Sequence, residues 1–422
     1  MRDLVLLLIL LVLIWLAWLR PWWGTLGLAF VSTMHPQGYS LGFMQGVPIY
    51  LLMFMAVCLG VARQIMVSRT WPKFIWEWRI VLLLVLWGHF TLTTYLGVNP
   101  WAGWNQHWEV MKLLPPILLT LMLIDSREKL RYLNLVMALS IAVVALKGGY
   151  WAFTVGLQER VYGPPGSPYA GNNEFAVAAS MMIPLLAFWY RELGQATDQR
   201  ALQGVLAILM GLCFVAALSS WSRGGLLAIG TVACLLVWHS RRKWLALPML
   251  LSGVGLVFVA LPEAWFARMG SIGAAELDAS AQTRMDLWRL GWEHALQNPW
   301  FGTGFQSWVY LSLPASSGLD WHNTYVKVAA EHGLLGLALW GGLVLGSLVN
   351  LTWLMHKNRH WRLPWLDYHA AMLRAALAAY AVGAVFLGIA YWELLLYLVV
   401  SAILLTRFAR QARPGAVAKV GQ

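Results

Sequence analysis

The residues best placed to do chemistry stand in Asp320-Trp321-His322-Asn323-Thr324-Tyr325, which closes the longest polar interval of an otherwise apolar chain. His322 lies between Asp320 and Asn323, side chains able to orient its ring. An imidazole with an unperturbed pKa of about 6.5 is suited to taking a proton from a hydroxyl. Three arginines lie on the same side of the chain. Arg160 sits in Glu159-Arg160-Val161-Tyr162-Gly163-Pro164, Arg223 in Ser222-Arg223-Gly224-Gly225, and Arg284 opens a helical stretch. Guanidinium groups grip phosphate oxygens in a bidentate way. Arginines converging at a membrane surface would suit a pyrophosphate carried on a lipid.

Other readings of these residues stay open. Arg223 also fits as a cap at the C-terminal end of its helix, or as a side chain snorkelling to headgroups. Arg284 also fits as a partner of Asp286 or Glu293 on a solvated face. Arg289 reads as solvated or packing, and His294 as surface. Lys147, Lys112 and Glu109 read as interfacial, and Glu331 with His332 as a structural pair where the next apolar segment begins. No metal site is expected: His-Glu-x-x-His and Cys-x-x-Cys spacings are missing, interval 35–45 holds no acid and 97–109 holds only Glu109. With no phosphate-loop or dinucleotide fingerprint, no soluble cofactor is expected.

The elements that must position these groups are membrane helices. The chain has 422 residues, of which 60% are hydrophobic and 11% charged, against about 25% charged in soluble domains. Apolar segments at 4–19, 22–34, 46–62, 80–96, 110–124, 132–155, 174–190, 201–217, 225–239, 244–261, 334–355, 370–388 and 391–406 predict an all-α polytopic integral membrane protein of about 12–13 transmembrane helices. The net charge of +12 comes in short clusters between segments, which excludes a nucleic-acid surface and instead marks cytoplasmic loops. These carry Arg63, Arg69, Lys73 and Arg79; Arg127, Lys129 and Arg131; Arg191 and Arg200; Arg241, Arg242 and Lys243; Lys357, Arg359 and Arg362; and a tail with Arg407, Arg410, Arg413 and Lys419. The intervals 35–45, 97–109, 156–173, 218–224 and 262–333 then face outward. The last holds four Lys/Arg against seven acids, Glu276 and Asp278 among them. Within it, Gln282–Gln297 predicts an amphipathic helix with Met285, Trp288, Gly291, Trp292, Ala295 and Leu296 on its apolar face, ended by Pro299 and Gly302-Thr303-Gly304. If the two pieces around Arg20-Pro21 both cross, the N-terminus lies outside; if not, both termini lie inside. The chain divides into N-terminal membrane helices, 1–155, and a second membrane domain, 156–422.

Four ordered stretches resemble the O-antigen ligase family of bacterial envelope proteins, which includes O-antigen polymerases and protein O-glycosylation ligases. They are Arg160 through Gly171-Asn172-Asn173-Glu174; Ser222-Arg223-Gly224-Gly225; Arg284-Met285-Asp286-Leu287-Trp288 with Asn298-Pro299-Trp300-Phe301-Gly302-Thr303-Gly304; and His322-Asn323-Thr324-Tyr325 with Glu331-His332-Gly333-Leu334-Leu335-Gly336. The opening of the chain looks like the branch of O-glycosylation ligases found alongside exosortase systems. The resemblance implies a GT-C-type transferase in the bacterial inner membrane with its site facing the periplasm. Its donor would be a glycan on undecaprenyl diphosphate and its acceptor a hydroxyl of lipid A core or protein. The reaction would be inverting and metal-independent. Carried over by position, His322 would be the general base, supported by Asp320 and Asn323. Arg160, Arg223 and Arg284 would hold the diphosphate. A polymerase that extends the glycan on its carrier is the alternative within the family. A transporter is the alternative outside it, disfavoured because the charges gather at one rim and no repeat is visible.

Overall fold

A computed structural model describes residues 1–195, 198–240, 242–270, 279–311 and 320–414. Arg241, Glu276, Asp278 and Lys419 lie outside the described residues. The helices, in chain order, are α1 (Arg2–Leu19), α2 (Pro21–Met34), α3 (Ile49–Ser68), α4 (Trp78–Tyr95), α5 (Pro100–Met111), α6 (Leu114–Leu123), α7 (Arg127–Thr154), α8 (Asn172–Leu193), α9 (Arg200–Leu218), α10 (Arg223–His239), α11 (Lys243–Ala260), α12 (Glu263–Gly270), α13 (Ala279–Gln297), α14 (Trp308–Leu311), α15 (Thr324–Trp361), α16 (Leu366–Gly383) and α17 (Glu393–Ala412). There is no strand among the described residues. α1, α3, α7, α9 and α15 are individually long and apolar enough to cross a membrane. The protein is an all-α polytopic membrane protein, as its composition predicts.

Helices in lipid gain little from the hydrophobic effect between one another and rely on close contact through small residues. The centre of the bundle shows this. α8 buries Ala176, Ala178 and Ala179, and α16 buries Ala370, Ala371, Ala375, Ala376 and Ala379. A Cβ placed on Gly383 would come within 2.6 Å of the Val177 side chain, so the glycine lets the α16 backbone lie directly against a side chain of α8. α9, α10, α15 and α17 pack around this pair.

Contacts at the helix ends sort the loops onto two rims. On one, Asp3 accepts hydrogen bonds from the Ser40 hydroxyl at 2.6 Å and the Met44 amide at 3.0 Å. α1 and α2 are therefore an antiparallel pair turning at Arg20-Pro21, where proline opens α2 at its first turn. Both pieces run as separate helices, and Asp3 shares the rim of the 35–46 interval. That interval meets 163–166, since a Cβ on Gly38 would collide with the Pro165 carbonyl. Val161 N–H donates to Ser219 O at 3.0 Å, and the Asn172 amide donates to Ser220 O at 2.7 Å. Val98 N–H donates to Thr303 O at 2.9 Å.

The opposite rim gathers the basic loops. Glu192 pairs with Arg131 at 2.9 Å and Arg127 at 3.4 Å. Arg63 donates to Trp18 O at 3.2 Å.

Two segments differ from the sequence expectation. The span expected at 110–124 is split into α5 and α6 at Lys112-Leu113, just before Pro115-Pro116; two consecutive prolines remove two helical donors and are best accommodated in a first turn, so a new helix starts there. The span expected from 334 begins ten residues earlier, at Thr324. Asn323 caps it by accepting from the Tyr325 and Val326 amides at 2.9 and 3.2 Å. Gly333, at φ 71° and ψ 178°, then kinks it.

Candidate active site

Backbone approach between two glycine-containing stretches builds the floor of the site. Gly302 and Gly304 adopt φ 62° and 85°, and Gly333 φ 71°, all in the left-handed region that favours glycine. A Cβ on Gly302 would come within 2.5–2.6 Å of the 331–333 backbone, and one on Gly333 within 2.6 Å of Pro299 O. Thr303 N–H donates to Ala330 O at 2.9 Å and Gly304 N–H to Glu331 O at 2.8 Å. The Pro299–Gly304 turn is thus clamped into the kink of α15. This fixes α13, which precedes the turn, against the first turns of α15.

α13 makes its contact through Leu287, Gly291 and Ala295, one helical face. A Cβ on Gly291 would collide with Val326 and stand 3.1 Å from Trp321. Trp288 donates its ring N–H to Trp321 O at 3.0 Å. Met285, Trp292 and Leu296, which the sequence puts on the apolar face of this amphipathic helix, do not join that contact and are exposed, at 40%, 38% and 66%. The glycine lets the helix lie closest at Gly291, which rotates the larger side chains outward.

His322 precedes the α15 cap. It has φ 48°, a left-handed value that histidine tolerates better than most residues. Its ring is partly exposed. Burial is the first cause holding it below the ordinary value of 6.5, with the charges of Arg284 and Lys327 acting the same way and Asp320 pulling it back up. A neutral ring, able to accept a proton, follows at neutral pH.

The neighbours act differently from the sequence expectation. Asp320 and Asn323 do not orient the imidazole. Both Asp320 oxygens accept from Lys327 Nζ at 3.0 Å, and one also accepts from the Trp321 amide at 2.8 Å. Asn323 is occupied with the helix cap. Both side chains position the loop backbone, because two helix-start amides without a partner in the helix and one ammonium ion are stronger local demands than a neutral ring.

The structure brings Arg284, on α13, into electrostatic reach of His322. It places Glu174, at the first turn of α8, within reach of Arg284 and Asp320. Arg223 is the first residue of α10, whose start Ser222 caps by accepting from the Gly225 amide at 3.0 Å. Its position excludes the C-terminal-cap reading: the helix start is the positive end, where an anion rather than a cation is favoured. α10 reaches the His322 loop through Phe386, 3.1 Å from a Cβ on Gly224 and 6.5 Å ring to ring from Trp288. Arg160 is joined to the 218–222 loop through its neighbour Val161, and its own side chain is exposed at the edge of the group.

Sequence reasoning missed Lys327, Glu174 and Tyr391. Lys327 lies 3.9 Å from Glu331, one turn along α15. Glu331 accepts from the Tyr391 hydroxyl at 2.7 Å and the Gln306 amide at 3.1 Å. The Asn323 cap signal, read as a helix start, would have put Lys327 and Glu331 on one face.

Residues 206–341 match the family described as O-antigen ligase, and residues 1–194 match a family of unknown function, DUF5935. A comparison with curated proteins finds no match. Arg223, Arg284, Asp320, His322 and Asn323 all fall inside the first match. The glycine clamp, the α13–α15 contact and the His322 loop all lie inside the stretch of this membrane protein that is similar to the O-antigen ligase family.

Proposed function

We propose that the chain is a membrane glycosyltransferase that moves a glycan from a polyprenyl diphosphate, undecaprenyl diphosphate in a bacterial inner membrane, to an acceptor hydroxyl at the periplasmic face. The observation that carries this reading is the His322 environment: a partly exposed imidazole kept neutral, beside Arg284, on the rim opposite the basic loops. His322 takes the hydroxyl proton as the acceptor oxygen attacks the anomeric carbon. The bond from that carbon to the carrier's phosphate oxygen breaks, and its electron pair leaves on the diphosphate. Arg284 and Arg223 stabilise that developing charge, aided by the positive end of α10, with Arg160 reaching in from the edge. Attack opposite the leaving group inverts the anomeric centre. No metal or organic cofactor has a role in this scheme. The acceptor is lipid A core or a protein hydroxyl. The domain boundary follows the same logic, with 156–422 carrying the site and 1–155 flanking it.

The test is transfer by purified protein in a membrane mimetic, given lipid-linked glycan with and without a hydroxyl acceptor. Glycosylated acceptor and free carrier diphosphate are expected, undiminished in excess chelator. Longer lipid-linked chains formed without acceptor would turn the reading to a polymerase. Strict dependence on added Mg²⁺ or Mn²⁺ would remove the arginine clamp.

A further inference from the structure

A second feature lies at the other end of the bundle. Arg374 stands two turns into α16, well inside the apolar part of the helix. One guanidinium nitrogen donates to the Thr352 hydroxyl at 3.0 Å and the other to His239 Nε2 at 3.0 Å. His239 Nδ1 lies 2.7 Å from Leu235 O and so carries the ring proton. With Nδ1 donating and Nε2 accepting, the ring is neutral. Arg374 therefore keeps a full charge between neutral partners. Among the described residues no carboxylate pairs with it. A cation at membrane depth is costly, and where no counter-ion is built in, an anion from outside is the natural complement.

Beside this arginine a groove of about 350 Å³ opens between α8, α9, α10, α11 and α16. Its walls are apolar, with Ile183, Phe214, Val232 and Leu250 along its length, and His239 and Tyr368 at its mouth. The mouth is ringed by cations. Arg191 stacks on the Tyr368 ring at 4.2 Å, and Lys243 lies 5.0 Å from the Trp238 ring. An apolar slot of ligand-sized volume under a cationic rim matches a molecule with a greasy tail and an anionic head. Its mouth is on the basic rim, remote from His322.

We propose that this groove binds an anionic glycerophospholipid of the basic-rim leaflet, with an acyl chain between α9, α10 and α11 and its phosphate on Arg374. This site is independent of glycan transfer at the opposite rim. The bound lipid would tie α11, which makes few contacts with the rest of the bundle, to α10 and α16.

The experiment is native mass spectrometry of the full chain in neutral detergent with equimolar phosphatidylglycerol and phosphatidylcholine. Phosphatidylglycerol should be retained about five-fold over phosphatidylcholine, the effect of one arginine on a net-negative headgroup whose phosphate no choline ammonium balances. Arg374→Gln should erase that preference. Ala233→Trp, which fills the groove from α10 and leaves the charge in place, should lower retention of phosphatidylglycerol and provides the test if Arg374→Gln does not fold. Equal retention of the two lipids by the native chain, or unchanged retention in Ala233→Trp, overturns the proposal. Displacement of phosphatidylglycerol by an equimolar polyprenyl monophosphate would overturn the glycerophospholipid as occupant.

Discussion

His322 and His332 stand ten residues apart and meet opposite fates. His332 is fully buried. Its Nδ1 is hydrogen-bonded to Thr93 at 2.7 Å and its Nε2 to Tyr391 at 2.8 Å, with Phe90 and Phe305 packed on the ring. Its carbonyl accepts from His89 at 2.8 Å. It ties α4, α15 and the 384–392 segment together, and nothing is left on it for a substrate. His322 sits outside the helix cap, on strained backbone, partly open to solvent, and among the described residues no hydrogen bond engages its ring. A histidine with both nitrogens satisfied in the bundle is scaffold. One held beside a cation with its ring unengaged keeps both nitrogens available, as the proposed base role requires.

That contrast breaks first at the two histidines themselves. His322→Ala should lower transfer by about 10²–10⁴-fold, the usual contribution of a general base, with the thermal midpoint near that of the native chain. Near-native turnover would remove the base role. His332→Ala should do the reverse. It leaves Thr93, Tyr391 and the aromatic pocket facing a void, at a cost of about 2–4 kcal/mol, read as a lowered melting temperature in detergent. A His332 variant that melts normally yet fails to turn over would merge the two roles.

The sequence separates the two histidines for a physical reason: His322 lies among Asp, Asn and Thr, and His332 opens an apolar run. The all-α class and the two-rim charge pattern are legible in the same way, because lipid admits only helices and closed barrels and long apolar runs specify the helix. The partners were less legible. Asp320 and Asn323 look like ring-orienting groups when only adjacency is known. Their use is decided by Lys327 and by the amides of α15, which become neighbours once the helix starts at Thr324. Hydropathy marks the large apolar residues of α13 but not its contact with α15, because Gly291 sets the closest approach. No spacing announces Tyr391 as the partner of Glu331, since the two meet only through the packing of α15 on the 384–392 segment.

The arginines grade the contrast more finely. Arg284→Ala should raise the apparent donor KM by about ten-fold, the loss of one charge-assisted contact, with a smaller change in kcat. Arg160→Ala should raise it by about three-fold, because an exposed cation is screened and desolvated little. An unchanged donor KM in both variants would undo the diphosphate clamp, and the reverse ranking would place Arg160 at the centre of the site.

The smallest effect is the most specific to the His322 environment. Lys327 occupies both oxygens of Asp320, and the two residues push His322 in opposite directions, Lys327 downward and Asp320 upward. Lys327→Met leaves the carboxylate uncompensated, so the ring binds its proton more tightly and the acid limb of the pH–rate profile should move up, by less than about one unit. Asp320→Asn should move that limb down. The sign carries into stability as well. The folded ring titrates below the unfolded value of 6.5, so as pH falls the unfolded chain takes up this proton first. This group's share of stability is complete above the unfolded value and is lost as pH drops through the folded one. Limbs that move in the same direction in both variants would show that Asp320 and Lys327 hold only the loop and do not set the charge state of His322. An untouched His332, buried with both nitrogens satisfied, should leave its own resonance fixed across the same pH range in either variant.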